Sequence, residues 1–288
     1  MRDYVIFTDS ACDIAPELLS EWGVKNLPLN FRFVDSDKLY FDGEIPVKEF
    51  YDKMRGGAIA KTSAINAAEL TVAFEAVLKE DKDILYLTLS SGLSTTFNSA
   101  RIAAGELSEK YPDAKIIPVD SLSASAGQGL FVKLLADKKA EGATIEELAE
   151  YAKEITPNIV HWFTVDDLVY LKRGGRISST AAFFGNALGI KPVLHVDDAG
   201  HLVNVAKVRG RKSSILTMAE KFGETAIDKE NGIVYISNAD CLDDANLLAS
   251  MLKEKYGAKV SLITNIGTVI GAHAGPGTLA LFYVGNKR

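Results

Sequence analysis

Short apolar runs alternate with longer helical patterns through the first half of this sequence, and this alternation limits the fold more than any other feature. The apolar runs cover residues 4–8, 24–33, 84–89 and 115–119. The helical patterns cover residues 67–79, 95–110, 129–141 and 145–155. A further helix is predicted from Pro16, since proline suits the first turn of a helix. Strands that alternate with helices predict an α/β fold with a doubly wound parallel sheet.

The pattern changes after Pro157, where strand candidates become more frequent. They cover residues 161–165, 192–196, 201–208, 232–237, 259–263 and 279–284. The second and third are joined by residues 197–200, whose acids and final glycine are typical of a hairpin turn. We therefore predict a parallel-sheet α/β domain over residues 1–157 and an α+β domain over residues 158–288, with a loosely defined boundary.

Composition excludes several classes of protein. A net charge of −6 argues against a nucleic-acid partner, which requires a basic face. No uncharged apolar run reaches the roughly 18 residues that a membrane span needs, and the N-terminus lacks the apolar core of a signal peptide. Cys12 and Cys241 stand alone in the sequence, so neither a disulfide framework nor a zinc site is expected. We expect a soluble, cytoplasmic protein.

Hydroxyl and acidic residues follow three of the predicted parallel strands. The first strand leads into Asp9, the third into a serine-rich loop at residues 90–95, and the fourth into Asp120. The carboxyl ends of parallel strands meet at one edge of the sheet, which is where such folds bind ligands. Ser94 lies at the start of a helix, where free N–H groups favour an anion, although a simple helix cap explains it equally well. Asp9, Asp13 and Asp120 have no spacing diagnostic of metal binding, and no metal is expected.

His273 stands in a segment made almost entirely of small residues, followed by the Gly-Pro-Gly turn at residues 275–277. We expect the small neighbours to leave room for a ligand. From the residues alone, His273 is a base, a ligand-binding group or a structural cap. Paired with Ser94 it suggests a serine hydrolase, although Ser94 is not in a G-x-S-x-G elbow and no orienting acid is evident. His161, His195 and His201 are expected at half-exposed structural positions.

Two basic clusters interrupt the acidic sequence, at residues 171–178 and 207–212. Each is either a solvated face or a docking surface for a phosphate-bearing partner, because arginine matches phosphate geometry. Between them, residues 181–190 are apolar with small residues interleaved. This segment is predicted to be a core helix or a wall of an apolar cavity.

The sequence resembles the DegV family, the fatty-acid-binding subunits of bacterial fatty acid kinase. The resemblance runs from residue 4 to about residue 284 and is carried by six motifs in the family's order. They lie at residues 8–10, 61–63, 90–94, 119–121, 171–177 and 271–277. One departure is visible: Thr95-Thr96-Phe97 follows Ser94 where family members often have Gly-Thr-Tyr.

The resemblance implies two α/β domains, with an acyl chain enclosed in the C-terminal one and its carboxylate at the interface between them. The implied carboxylate-binding residues are Thr62, Ser94 and His273, with Ser63 as a neighbouring candidate. The resemblance also implies that the chain is not a stand-alone enzyme and needs no cofactor. The resemblance further implies that the chain presents a bound long-chain fatty acid to a separate ATP-dependent kinase, which makes acyl phosphate for phospholipid synthesis.

The family's kinase contact is implied at Arg209, with Arg211 in the same basic run. Whether the basic clusters touch the kinase, a membrane in transient contact, or only solvent stays open. The remaining alternatives are a serine hydrolase acting on acyl esters and a regulatory module for another small anion. The length, unsaturation and branching of the acyl chain cannot be predicted from the sequence, and neither can the oligomeric state.

Elementary energetics agree with a fatty acid ligand. Burial of roughly fifteen methylenes at about 0.8 kcal/mol each gives on the order of 10 kcal/mol before the costs of binding. The carboxylate costs several kcal/mol to desolvate unless several donors meet it. A bound carboxylate should also raise the pKa of His273, because it favours the protonated imidazole.

Overall fold

The computed structural model of the chain describes residues 2–178 and 189–288. Its first sheet contains β1 (Tyr4–Asp9), β2 (Val24–Leu27), β6 (Asp83–Thr88) and β7 (Ile116–Asp120). All neighbours in the order β2-β1-β6-β7 pair in parallel, so the prediction of a parallel sheet is confirmed. Every residue of β1 and β6 is buried, as expected for central strands covered by helices on both faces.

Helices follow the strands as the sequence predicted, except that the helix over Val47–Arg55 was not predicted. They are α1 (Pro16–Glu21), α2 (Val47–Arg55), α3 (Ala67–Leu78), α4 (Thr96–Lys110), α5 (Ala126–Ala140) and α6 (Ile145–Ile155). Proline occupies the first turn of α1. Asn66 and Glu69 form a capping box that fixes the start of α3. In α5 the helix begins three residues before the predicted Gly129.

The predicted strand over residues 24–33 was wrong, because the segment forms two strands in different sheets. The chain leaves the first sheet after β2 and enters β3 (Asn30–Phe33). Pro28 separates the two strands, and proline cannot donate a ladder hydrogen bond. In the second sheet, β3 pairs antiparallel with β4 (Tyr40–Phe41) and β5 (Ala60–Ser63).

The strands of the third sheet all follow Pro157. They are β8 (Ile159–Thr164), β9 (Ile190–Val196), β10 (Leu202–Arg209), β11 (Val234–Asn238), β12 (Leu262–Asn265) and β13 (Leu279–Val284). Within the described residues they order as β10-β9-β8-β13-β11-β12, and only β11 and β12 pair in parallel. The hairpin predicted at residues 197–200 joins β9 to β10, and the Gly200 amide donates to the Asp197 carbonyl at 2.9 Å.

The second half of the chain contains four further helices in its described residues. They are α7 (Val169–Arg173), α8 (Arg211–Thr225), α9 (Leu242–Tyr256) and α10 (Thr268–Ala274). Residues 179–188 lie outside the described residues, and most of the predicted core helix or cavity wall at residues 181–190 falls there. In the described parts of the chain, no helix has the length and apolar character needed to cross a membrane.

Helix α5 lies between the parallel sheet and the six-stranded sheet. Its buried residues include Leu130 and Phe131, and they belong to one apolar cluster that also contains Leu85 of β6 and Phe282 of β13. The two halves of the chain therefore share a continuous core. The domain boundary near residue 157 stays a prediction.

The Arg288 side chain donates hydrogen bonds to main-chain carbonyls in both halves of the chain. Its guanidinium donates to the carbonyls of Leu122 (2.8 Å), Thr156 (2.9 Å) and Ile159 (3.2 Å). A longer contact of 3.4 Å reaches the carbonyl of Asp197 in the hairpin turn. One planar group thus satisfies carbonyls from four separate positions in the chain.

Candidate functional site

A cavity of about 460 Å³ opens between the parallel sheet and the six-stranded sheet. This volume lies within the roughly 300–1,000 Å³ typical of small-molecule sites. The described lining residues come from both halves of the chain and are mostly apolar. The apolar members include Leu29, Leu89, Leu93, Phe163, Leu171, Val196, Leu202, Val269, Ile270 and Phe282.

The polar lining residues fall into two groups that differ in exposure. Half-buried or exposed side chains mark the mouth of the cavity: Thr62, Ser63, Ser91, Ser94, Thr95, Arg176 and His273. Buried side chains mark its interior: Ser125, His161 and Thr278. Among the described lining residues there is no aspartate or glutamate. The described part of the mouth therefore carries hydroxyl, imidazole and guanidinium groups and no acidic side chain.

Thr62 and His273 meet at the mouth although 211 residues separate them in the chain. Thr62 lies on β5, His273 lies on α10, and the Thr62 Oγ1 and His273 Nε2 atoms are 2.7 Å apart. The motif at residues 61–63 forms part of the strand β5. His273 Nδ1 has no hydrogen-bond partner among the described residues.

Ser94 lines the same mouth from the loop before α4. Its Oγ accepts a hydrogen bond from the Thr96 amide at 3.2 Å and lies 2.9 Å from Thr96 Oγ1. Within the described residues, His273 bonds to Thr62 and not to Ser94. A serine hydrolase requires its nucleophile and base to be hydrogen-bonded. This arrangement therefore gives no support to the hydrolase alternative.

Arg176 also lines the mouth, and the sequence reasoning assigned it only to a basic surface cluster. Its Nε donates to the Leu93 carbonyl at 3.1 Å and its Nη1 to the Gly174 carbonyl at 2.6 Å. Burial lowers the pKa of Arg176, but an arginine side chain remains charged in proteins. A Cβ atom at Gly174 would collide with His273 Nδ1. Glycine at this position lets the loop bring Arg176 to the site.

Burial and the nearby Arg176 charge lower the pKa of His273 to about 4. The imidazole is therefore neutral near pH 7, and Arg176 carries the positive charge of the mouth. Both residues line the mouth, so an anion bound there would lie near both of them. The predicted rise of the His273 pKa concerns that occupied state and stays a prediction.

The glycines around His273 accommodate protein side chains, so the expectation that they leave room for a ligand was wrong at three positions. A Cβ atom at Gly271 would collide with the Tyr51 hydroxyl, which donates to the Ile266 carbonyl at 2.8 Å. Gly275 and Gly277, at φ values of 82° and 77°, pack closely against Tyr170 and Asp166. These contacts anchor α10 and so fix the position of His273.

The acids at the strand ends hold the site loops through main-chain hydrogen bonds. Asp9 accepts from the Leu89 amide at 3.0 Å, and burial raises its pKa to about 6. Asp120 accepts from the Ser91 amide at 3.0 Å, and Asp13 accepts from the Gly267 amide at 2.9 Å. Across residues 2–178 and 189–288, no three His, Cys, Asp or Glu side chains are grouped as metal ligands.

The two arginines of the second basic cluster have different surroundings. Arg211 is half-buried, pairs with Asp244 at 2.9 Å and donates to the Gly277 carbonyl at 2.6 Å. Its charge is thus engaged within the fold. Arg209 is exposed at the end of β10. Of these two arginines, Arg209 is the one whose side chain is exposed to solvent.

The prediction that His161 is half-exposed was wrong, since only 2% of the residue is accessible to solvent. The predicted strand began at His161, whereas β8 begins at Ile159 and places His161 on the buried inner face. His195 is half-buried, with Nδ1 2.7 Å from the His161 carbonyl, and His201 is exposed.

Comparisons with known proteins were consistent along the whole chain. The family described as "Uncharacterised protein, DegV family" matches residues 3–286. A DegV domain-containing protein of Clostridium perfringens is 43% identical, and the match covers 100% of this chain and 99% of the relative. A DegV family protein of Thermus thermophilus, described by its fatty acid binding, is 29% identical with a TM-score of 0.88 and coverage of 99% and 100%. A stearic acid-binding protein of Eubacterium ventriosum is 27% identical with a TM-score of 0.88 and coverage of 98% of both chains.

Proposed function

The chain belongs to the DegV family, and on that premise we propose that it binds a long-chain fatty acid and presents the carboxylate to a partner ATP-dependent kinase. The kinase would convert the carboxylate to an acyl phosphate. The protein itself is then a lipid-binding subunit and performs no chemistry alone. Fatty acid binding by the Thermus thermophilus and Eubacterium ventriosum proteins supports the first part of the proposal.

The observation that carries the proposal is the division of the cavity into a cationic mouth and an apolar interior. Arg176 and His273 line the mouth with no acidic lining residue in the described chain, whereas leucine, valine and phenylalanine side chains dominate the interior. A fatty acid has the matching division of charge and apolar surface. Its buried tail contributes about 0.8 kcal/mol for each methylene.

We assign the carboxylate to Thr62, Ser63, Ser94 and His273, as the family resemblance implies, and add Arg176. The hydroxyls and the imidazole lie on β5, on α10 and in the loop before α4. Donors from three elements satisfy a carboxylate without burying it fully, which keeps the desolvation cost low. The half-buried mouth also leaves the carboxylate within reach of a second protein. Arg209, exposed on β10, is the proposed contact with the kinase.

The proposed function predicts that the protein purified from a bacterial host carries fatty acid. Extended burial of an acyl chain gives slow dissociation, so the ligand should survive purification. Solvent extraction followed by mass spectrometry should find about one fatty acid for each protein chain. The proposal would be contradicted if the purified protein contained no fatty acid and its thermal unfolding midpoint were unchanged by added octadecanoic acid.

His273→Ala is expected to reduce acyl phosphate formation with a fatty acid kinase subunit by roughly 10- to 150-fold at limiting fatty acid. The reason is the loss of a hydrogen bond to a charged group, worth about 1.5–3 kcal/mol. Far-UV circular dichroism should be unchanged. His201→Ala, which removes an exposed histidine that is not among the described lining residues, is the control and should retain normal rates. Equal rates for both variants would exclude His273 from the site.

A further inference from the structure

His161 places a polar ring in the apolar wall of the cavity. Strand β8 alternates its faces, so His161 and Phe163 both line the cavity. The residue opposite His161 on β13 is Phe282, whose ring meets the imidazole edge-on with centroids 5.5 Å apart. Apolar residues would be expected at all of these positions.

Neither ring nitrogen of His161 has a hydrogen-bond partner within the described residues. The Ile159 main chain lies close enough to the His161 ring to raise the pKa of His161 weakly. It makes no hydrogen bond of acceptable geometry with the ring. The His161 ring also packs directly against Gly127 of α5. A Cβ atom added at Gly127 would collide with the His161 Nε2 atom. Burial, assisted by the Arg288 and His195 charges, holds the pKa of His161 well below its usual range. The ring is therefore neutral, with one donor and one acceptor nitrogen.

Besides His161, two polar residues of the described lining are buried, Ser125 and Thr278, and the hydroxyl groups of both are already satisfied. The Ser125 hydroxyl bonds to Asp13 and to Ser237. The Thr278 hydroxyl donates to main-chain oxygens at 2.8 and 2.9 Å. His161 is thus the buried lining residue whose hydrogen-bonding capacity is unused. A buried polar group without a partner is costly, and structures rarely retain one without a purpose.

We propose that the cavity selects long-chain fatty acids that carry a hydroxyl group on the chain, with the His161 imidazole as the hydrogen-bond partner of that hydroxyl. The inference rests on the proposed function and names the class of fatty acid that the site prefers. A hydroxyl is both donor and acceptor, so it suits either tautomer of the neutral ring. A charged substituent is excluded, because the apolar wall offers nothing to offset its desolvation.

The test is a comparison among positional isomers of hydroxyoctadecanoic acid, which share one composition and therefore nearly the same hydration. Each isomer competes against radiolabelled octadecanoic acid for the delipidated protein. One narrow range of hydroxyl positions should bind about three- to tenfold more tightly than the others, the usual gain from one net hydrogen bond. Equal affinities for all of the isomers would overturn the inference.

Variants at two positions on the same wall separate hydrogen bonding from cavity shape. His161→Leu should remove the preference among isomers, and His161→Gln should retain part of it because glutamine still donates and accepts. Phe163→Leu, the matched control, changes the shape of the wall without a polar group and should leave the preferred position unchanged. A preference that survives intact in His161→Leu would contradict the inference.

A spectroscopic measurement needs no variant. In protein labelled with ¹⁵N-histidine, the preferred isomer should shift one His161 ring resonance relative to the octadecanoic acid complex. An unchanged resonance would overturn the inference while leaving the proposed function intact, since octadecanoic acid would still bind. Failure of octadecanoic acid itself to bind would instead overturn the proposed function, and the inference with it.

Discussion

Arg176→Gln is expected to weaken fatty acid binding by roughly 30- to 150-fold, the largest effect on binding that the structure predicts for a single residue. Removing one partner of a desolvated charge pair costs about 2–3 kcal/mol at a half-buried position, and each 1.4 kcal/mol is about tenfold in the dissociation constant. The dissociation constant for octadecanoic acid, measured by competition on delipidated protein, checks this. Arg176→Lys should be intermediate, because lysine keeps the charge but not the planar fork.

The matched control is Arg173→Gln, which removes an exposed arginine at the end of α7, three residues before Arg176, and should leave affinity unchanged. A second readout follows from electrostatics. The positive charge of Arg176 helps to lower the pKa of His273, so the pKa should rise from about 4 in the empty Arg176→Gln variant. An NMR titration of the His273 ring measures this. Normal affinity together with an unmoved titration would contradict the assignment of Arg176 to the site.

Arg288→Ala is expected to lower the free energy of unfolding by about 2–4 kcal/mol, because the carbonyls of Leu122, Thr156 and Ile159 lose their shared donor. For a chain of this size the thermal midpoint should fall by roughly 4–16 °C. Calorimetry of the delipidated protein checks this. Lys287→Ala changes the exposed neighbouring residue and serves as the control. Equal midpoints for the two variants would show that the Arg288 contacts contribute little.

The parallel sheet was predictable because its evidence is local. Buried strands such as β1 and β6 are short apolar runs, and α3 and α6 begin at capping boxes. Even so, the split at Pro28 was missed, since an apolar run does not show which sheet each part joins. Contacts between residues that lie far apart in the sequence leave no local pattern of this kind. The hydrogen bond between Thr62 and His273 has no periodicity or spacing behind it, and only the family resemblance suggested that the two residues act together.

Arg176 and His161 were missed for different physical reasons. Arg176 stands in a run of basic residues, and nothing local distinguishes the one arginine that folds inward from those that face solvent. The Gly-Gly pair before it was the available signal, because Gly174 allows close approach to His273. His161 could have been found from the strand period of two, which places it on the same face as Phe163.

The position of α5 between two sheets has a consequence for how a ligand enters and leaves. The helix is buried along most of its length and contacts both sheets. A hinge motion that separated the two halves would expose the apolar surface of α5 to solvent. Much of the stability of the fold would then be lost. Exchange of a bound molecule must therefore use local movements of the mouth loops, so that ligand turnover and global unfolding proceed through separate barriers.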